Sequence, residues 1–107
     1  MQRVTMVRYT AKPDRAAENE ALSRAVFAEL RATAPPDVAY ALFRNGTEFV
    51  HLFVNLVEDS SDAVTELASF KAFGDNSGDR WEAPPQVQRL ALQLVESYGF
   101  AKAMAEA

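Results

Sequence analysis

Two periods run through the hydrophobic positions of this chain, one of two residues and one of three to four, and they divide it into strands and helices. Residues 1–10 are rich in Val, Thr, Met and Tyr and lead into Lys12-Pro13-Asp14. That run predicts a strand ending near Ala11, stopped by Pro13, with Asp14 as the N-cap of a helix. Over residues 15–33, Leu22, Val26 and Leu30 recur every four positions with Ala25 and Phe27 beside them, while Glu18, Glu20, Arg24 and Arg31 are left for solvent. The spacing predicts an amphipathic helix. Ala34-Pro35-Pro36-Asp37 ends it, because proline offers no backbone N–H and pushes the preceding residue out of the α region.

Residues 38–44 and 48–56 read as two strands joined by Asn45-Gly46, the dipeptide that most readily supplies two positive-φ positions in a tight hairpin. The polar run 58–62 offers N-caps for a second helix over about residues 62–73, with Val64, Leu67, Ala68 and Phe70 or Lys71 on one face. The stretch 74–78 breaks that helix, another helical turn is expected over 79–83, and Pro84-Pro85 introduces a last strand over 86–98. Residues 1–99 therefore read as one domain and 100–107 as a short tail.

The order strand, helix, strand, strand, helix, strand predicts an α+β, ferredoxin-like βαββαβ domain with a four-stranded antiparallel sheet and both helices on one face. Alternation sorts each strand into two rows. The aliphatic row Val50, Leu52, Val54 and Leu56 is expected under the helices, with Ala39, Ala41 and Phe43 of the second strand and Leu90, Leu92 and Leu94 of the last. The mixed rows, Phe49, His51, Phe53 and Asn55 with Tyr40, Leu42 and Arg44, are then expected on the open face beside Met6, Arg8 and Val95. Monomers seldom leave so apolar a face to water. A second copy is expected to cover it, which makes the chain half of a homodimer, and an aspartate at Phe53 is expected to break that dimer.

Composition narrows the partners. With 15 Asp plus Glu against 11 Lys plus Arg the formal charge is −4, the wrong sign for gripping a phosphate backbone, so nucleic acid is not an expected partner. The absence of cysteine removes thiolate nucleophiles, Fe–S clusters and cysteine zinc sites. No signal-peptide stretch opens the sequence, and its most apolar segment, 49–57, is interrupted by His51 and Asn55 and far below membrane-spanning length. No membrane association and a cytoplasmic location are expected.

His51 is the only histidine, and hence the one side chain whose ordinary pKa lies near neutrality, a candidate for proton transfer or for binding a phenolate. A histidine hydrogen-bonded inside a dimer barrel between Phe49 and Phe53 is the plainer reading of the same residue. Asn55 and Tyr40 are candidate hydrogen-bond donors to a substrate oxygen, or an interface pair. Arg8, Arg44 and Arg89 are candidates to attract an anionic ligand, or to pair with Glu48 or Glu96 across the interface. Trp81, the only tryptophan, sits in the long 74–85 connection as a pocket wall or lid, or simply packs over helix ends. Asp75, Ser77 and Asp79 have the spacing of a calcium loop, but Arg80 and Gln86 stand where glycine and glutamate are needed, so no metal site is expected.

Four stretches, Val7-Arg8-Tyr9-Thr10-Ala11-Lys12-Pro13, Phe49-Val50-His51-Leu52, Leu67-Ala68-Ser69-Phe70-Lys71-Ala72-Phe73 and Val95-Glu96-Ser97-Tyr98, resemble antibiotic biosynthesis monooxygenase-like proteins, over roughly residues 3–98. The resemblance implies ferredoxin-like protomers that pair their sheets into a dimeric α+β barrel, and a reaction of an electron-rich phenol with O₂ that needs no flavin or metal cofactor. It implies substrate contacts from polar groups beside aromatic walls; with the residue chemistry above, His51 and Asn55 are the expected catalytic groups, and Arg8, Tyr40, Phe49, Phe53 and Trp81 the expected binding residues. In that family the pocket usually lies between sheet and helices, so His51 enters it only if the sheet faces the opposite way from the assignment above. A non-catalytic small-molecule-binding or stress-response barrel is the competing expectation. The haem-degrading branch holds iron with a histidine on the second helix, and residues 62–73 contain none.

Overall fold

The computed structural model describes residues 2–56, 62–75, 77–96 and 98. Strand β1 (Arg3–Thr10) leads through a 3₁₀ turn, Pro13–Arg15, into helix α1 (Ala16–Thr33). Strands β2 (Val38–Asn45) and β3 (Glu48–Asn55) follow, then three short helices, α2 (Asp62–Thr65), α3 (Ala68–Asp75) and α4 (Ser77–Arg80), and strand β4 (Gln86–Ala91). The sheet order is β2-β3-β1-β4 with every pair antiparallel, the α+β ferredoxin-like arrangement the element order predicts. Among the described residues no helix is long and apolar enough to cross a membrane.

Several boundaries differ from expectation for identifiable reasons. Asp14 lies inside the 3₁₀ turn and does not cap α1, which starts after Arg15 without a side-chain cap. The hairpin turn is Gly46-Thr47, between the paired Asn45 and Glu48, with positive φ at Gly46 (62°) and not at Asn45. Positive φ at the first central residue alone is the pattern of a Gly-first turn, shifted one residue from the Asn-Gly reading. The helix expected over 62–73 is broken at Glu66-Leu67 because a new N-terminus forms there: Glu29 on α1 accepts from both the backbone N–H (2.9 Å) and the hydroxyl (2.5 Å) of Ser69. A carboxylate from a neighbouring helix thus replaces a local cap. The helical turn expected over 79–83 is α4, at Ser77–Arg80. Strand β4 stops at Ala91 because β1 begins at Arg3 and leaves nothing further to pair with; Leu92 N–H and Leu94 N–H turn instead to Gln2. The expected caps in 58–61 and the tail 100–107 lie outside the described residues.

The largest correction concerns the faces of the sheet. Phe49, His51 and Asn55 are buried beneath the helices, and register puts Tyr9, Tyr40 and Phe53 in the same layer. The aliphatic row Val50, Leu52 and Val54 is on the open face with Val4, Met6, Ala39, Ala41 and Phe43. The reason lies on α1. Its inward stripe is Ala16, Asn19, Ser23 and Val26, and Asn19 and Ser23 are essentially fully buried. Buried polar groups need partners: Ser23 donates to Asn19 O within the helix (2.8 Å), and the Asn19 NH₂ finds its acceptor in Tyr9, on the row that carries His51.

Candidate functional site

Strands β1, β2 and β3, helices α1 and α3, and the segment carrying Arg80 and Trp81 meet in the helix-covered layer. Tyr9 ends β1 next to a bridge between Ala11 and Trp81, where Lys12 N–H donates to Arg80 O (2.7 Å) and Glu82 N–H to Thr10 O (2.9 Å). Those backbone bonds clamp Arg80 and Trp81 against the strand end. Trp81 stacks on Tyr9 with ring centroids 4.0 Å apart, and Phe49 and His51 flank Tyr9 at 5.6 and 5.4 Å. Tyr40 packs against Phe53 at 5.5 Å and meets Phe27 of α1 edge-on at 4.9 Å, and Phe73 of α3 closes over His51 at 5.5 Å.

A continuous chain of polar side chains runs through these rings. Arg80 Nε (3.1 Å) and Trp81 Nε1 (2.9 Å) donate to Asn19 Oδ1, and Asn19 Nδ2 donates to Tyr9 Oη at 2.8 Å. Tyr9 Oη lies 2.7 Å from His51 Nε2, and Tyr40 Oη lies 2.7 Å from His51 Nδ1. Burial pushes the His51 pKa down to about 4, so the imidazole is neutral at neutral pH. Tyr9 is pushed up to about 12, burial outweighing the Asn19 hydrogen bond and the Arg80 charge that act against it, and Tyr40 is raised further by its burial and by Tyr9. Both phenols therefore keep their protons.

Arg80 is the residue with least structural justification. It is fully buried, its Nη2 donates to Phe73 O (2.5 Å), its guanidinium lies 5.0 Å above the Phe73 ring, and its Nη1 has no partner among the described residues. Burial lowers its pKa, yet an arginine stays cationic. A buried charge without a carboxylate costs several kcal/mol, on the order of what one buried ion pays after relaxation, and such groups concentrate at functional sites.

Five of the seven residues expected at the site, His51, Tyr40, Phe49, Phe53 and Trp81, share this layer. Asn55 faces the same way at the far end of β3, within 3.4 Å of Arg3. Arg8 lies outside this layer, on the open face, 3.8 Å from Glu48. Nor do the three arginines converge, since Arg44 sits over the Phe49 ring and pairs with Glu20 (2.8 Å), and Arg89 is on the opposite edge strand. Tyr9, Asn19 and Arg80 were not anticipated. Asn19 and Ser23, four residues apart on the stripe that also carries Val26 and Leu30, were the signal that could have found them. A cavity of about 320 Å³ opens between α1 and β2, walled by Phe27 and Leu42 and rimmed by Arg24, Arg31 and Arg44. Phe27, which lines it, packs edge-on against Tyr40.

No family model matches the chain, and no curated protein matches it. Solved structures do. Rv0793 from Mycobacterium tuberculosis superposes with a TM-score of 0.75 at 21% identity, over 91% of this chain and 100% of that one. A candidate antibiotic biosynthesis monooxygenase from Caulobacter crescentus gives 0.68 at 22% identity, covering 89% and 91% of the two chains, and one from Bacteroides thetaiotaomicron gives 0.75 at 12%, covering 91% and 96%. Identities this low carry the fold alone. The chain has the ferredoxin-like α+β fold of these structures, and in that fold it resembles the antibiotic biosynthesis monooxygenase-like family.

Proposed function

We propose that this chain is one protomer of a homodimeric, cofactor-independent monooxygenase-like protein that oxidises a small phenolic compound in the layer between sheet and helices. The observation that supports this reading is the buried Tyr9–His51–Tyr40 chain, walled by Trp81, Phe49, Phe53, Phe73 and Phe27. Aromatic walls suit a flat ring, and a few polar groups inside them fix its orientation. The reaction balances without a cofactor: the phenol gives up its O–H and one ring C–H hydrogen, one atom of O₂ becomes the second quinone oxygen, and the other leaves as water. The cavity between α1 and β2 is the route of entry; Glu20 at its rim pairs with both Arg24 and Arg44, and with Arg31 the rim keeps an excess of positive charge. With its depressed pKa, His51 is a weak base at neutral pH, so its part is to organise the tyrosine hydroxyls.

The protomers pair through the open sheet face. That face carries Val4, Met6, Val50, Leu52 and Val54, with Phe43 57% and Leu90 48% exposed in the single chain, a surface more apolar than monomers tolerate.

An oxygen electrode with a panel of electron-rich phenols tests the activity. Uptake of one O₂ per quinone formed, reduced at least tenfold in Tyr40→Phe, is expected. A non-catalytic binding barrel is the second reading, and what favours it is that both ring nitrogens of His51 are already hydrogen-bonded to protein groups. Phenols that raise the melting temperature without consuming O₂ would select it, and neither effect in any phenol would overturn both.

A further inference from the structure

We propose that Trp81, Tyr9, His51 and Tyr40 form a one-electron oxidation relay: an oxidising radical of the organic peroxyl class draws an electron from Trp81, and the vacancy passes to the tyrosine that hydrogen-bonds the bare nitrogen of His51, which takes the phenolic proton. This radical-trapping activity is separate from the phenol oxidation proposed above, and it needs no ligand.

The rings are contiguous. Trp81, partly exposed, stacks on Tyr9 with centroids 4.0 Å apart and planes 25° apart; His51 lies 5.4 Å from Tyr9, and Tyr40 lies 5.9 Å from His51. Electrons tunnel readily across such gaps, so the direction of the relay is set by where each ring can leave a proton. An indole that loses an electron becomes a neutral radical only by shedding its Nε1 proton. Trp81 Nε1–H points at Asn19 Oδ1 (2.9 Å), an amide oxygen that also accepts from Arg80 Nε (3.1 Å). An amide oxygen is a poor base, the guanidinium bonded to it makes it poorer, and the same buried cation opposes a second positive charge on Trp81.

The phenols are better served. A neutral imidazole has one N–H and one bare nitrogen, and His51 has a tyrosine oxygen 2.7 Å from each ring nitrogen, Tyr9 at Nε2 and Tyr40 at Nδ1. A phenol that close to a bare nitrogen holds its proton between the two. With Nε2 bare, Tyr9 donates; with Nδ1 bare, Tyr40 donates and the Tyr9 proton turns to Ser23. In either tautomer one phenol rests its proton on a base, and the relay does not depend on which. His51 is too weak a base to ionise a neutral phenol. A phenol radical cation is a far stronger acid, and it yields its proton to the imidazole as the electron leaves.

Electrons and protons balance. The peroxyl radical takes one electron from Trp81 and becomes a peroxide anion, which water protonates to the hydroperoxide. The Trp81 radical cation takes an electron from the tyrosine; the phenolic O–H bond breaks, its proton passes to His51, and a neutral phenoxyl radical beside an imidazolium remains. A small enediolate reductant then supplies one electron, the imidazolium returns the proton, and the phenol is restored.

Pulse radiolysis with azide radicals, which oxidise indole ahead of phenol, tests the relay in the intact chain. Trp81 is the only tryptophan, and Tyr98→Phe removes the fully exposed one of the three tyrosines, leaving Tyr9 and Tyr40. In Tyr98→Phe the indolyl absorption is expected to fall as the phenoxyl absorption rises, at one common rate independent of protein concentration. Adding His51→Gln is expected to slow that rate roughly a hundredfold, the typical worth of a positioned base. An indolyl radical that decays with no phenoxyl rise overturns the relay, as does a rise whose rate scales with protein concentration or is the same in a folded His51→Gln. Should that variant not fold, the transfer in D₂O decides: a slower rise supports the coupled proton, and an equal one overturns it. Under peroxyl radicals from a thermally decomposing azo initiator, Tyr98→Phe is expected to give a phenoxyl EPR signal; damage confined to the indole would overturn the trapping activity.

Discussion

An imidazole held between two tyrosine hydroxyls in a layer closed to water has a thermodynamic signature, because protonating it would place an unpaired charge there. In the unfolded chain His51 binds a proton near pH 6.5, and in the folded chain only near pH 4. Between those values the unfolded state holds more protons, so stability is fully present above about pH 6.5 and is lost as pH falls toward the folded pKa. From about pH 7.5 to pH 5 the loss is about 2 kcal/mol. Urea midpoints at the two pH values are expected to show it in the wild type, and His51→Gln is expected to remove most of it; a variant with the same pH dependence as the wild type would contradict the burial of a neutral imidazole. His51 was legible as a candidate because it is the only histidine. Its partners were not. Tyr9, Asn19 and Arg80 are separated by up to 71 positions of sequence, and nothing local distinguishes a tyrosine at a strand end or an arginine in a polar connection from the others.

At the scale of elements, periodicity located β1, α1 and the hairpin to within a residue or two, since each buries one face over eight or more residues. What it misread are places where a distant group decides the boundary: Glu29 capping α3, and the start of β1 limiting β4. The end of α1 is a third such place. Ala34 adopts φ +47°, the left-handed region, so that its N–H reaches Leu30 O at 2.7 Å before Pro35. A side chain with a Cβ pays about 1–2 kcal/mol for that conformation, which glycine adopts freely. Ala34→Gly is therefore expected to raise stability by about 0.5–1 kcal/mol after the greater entropy of the unfolded glycine is subtracted. Chemical denaturation measures it, and a loss of stability would show that Ala34 is not strained.

For the molecule as a whole, the sheet has two buried-type faces of different chemistry. Its aromatic and polar row meets α1 and α3, where the proposed site lies, while its aliphatic row is turned outward. Alternation revealed both rows from sequence, together with the expectation that the second is covered, but the choice between them depended on Asn19, whose amide is met by Tyr9 on the His51 row. A purely aliphatic row is the better hydrophobic surface, and on the open face it is available to a second copy. Phe53→Asp, expected from sequence to split the dimer, falls instead in the helix-covered layer beside Tyr40, where losing the ring and placing an unpaired charge both destabilise the fold.

The molar mass of Leu52→Asp and Phe53→Asp, measured by size-exclusion chromatography with light scattering, tests the face assignment directly. The wild type is expected to be a dimer, Leu52→Asp a folded monomer, and Phe53→Asp destabilised or unfolded without yielding a compact monomer. A dimeric Leu52→Asp alongside a folded, monomeric Phe53→Asp would contradict the account, placing His51 at the interface and the aliphatic row beneath the helices.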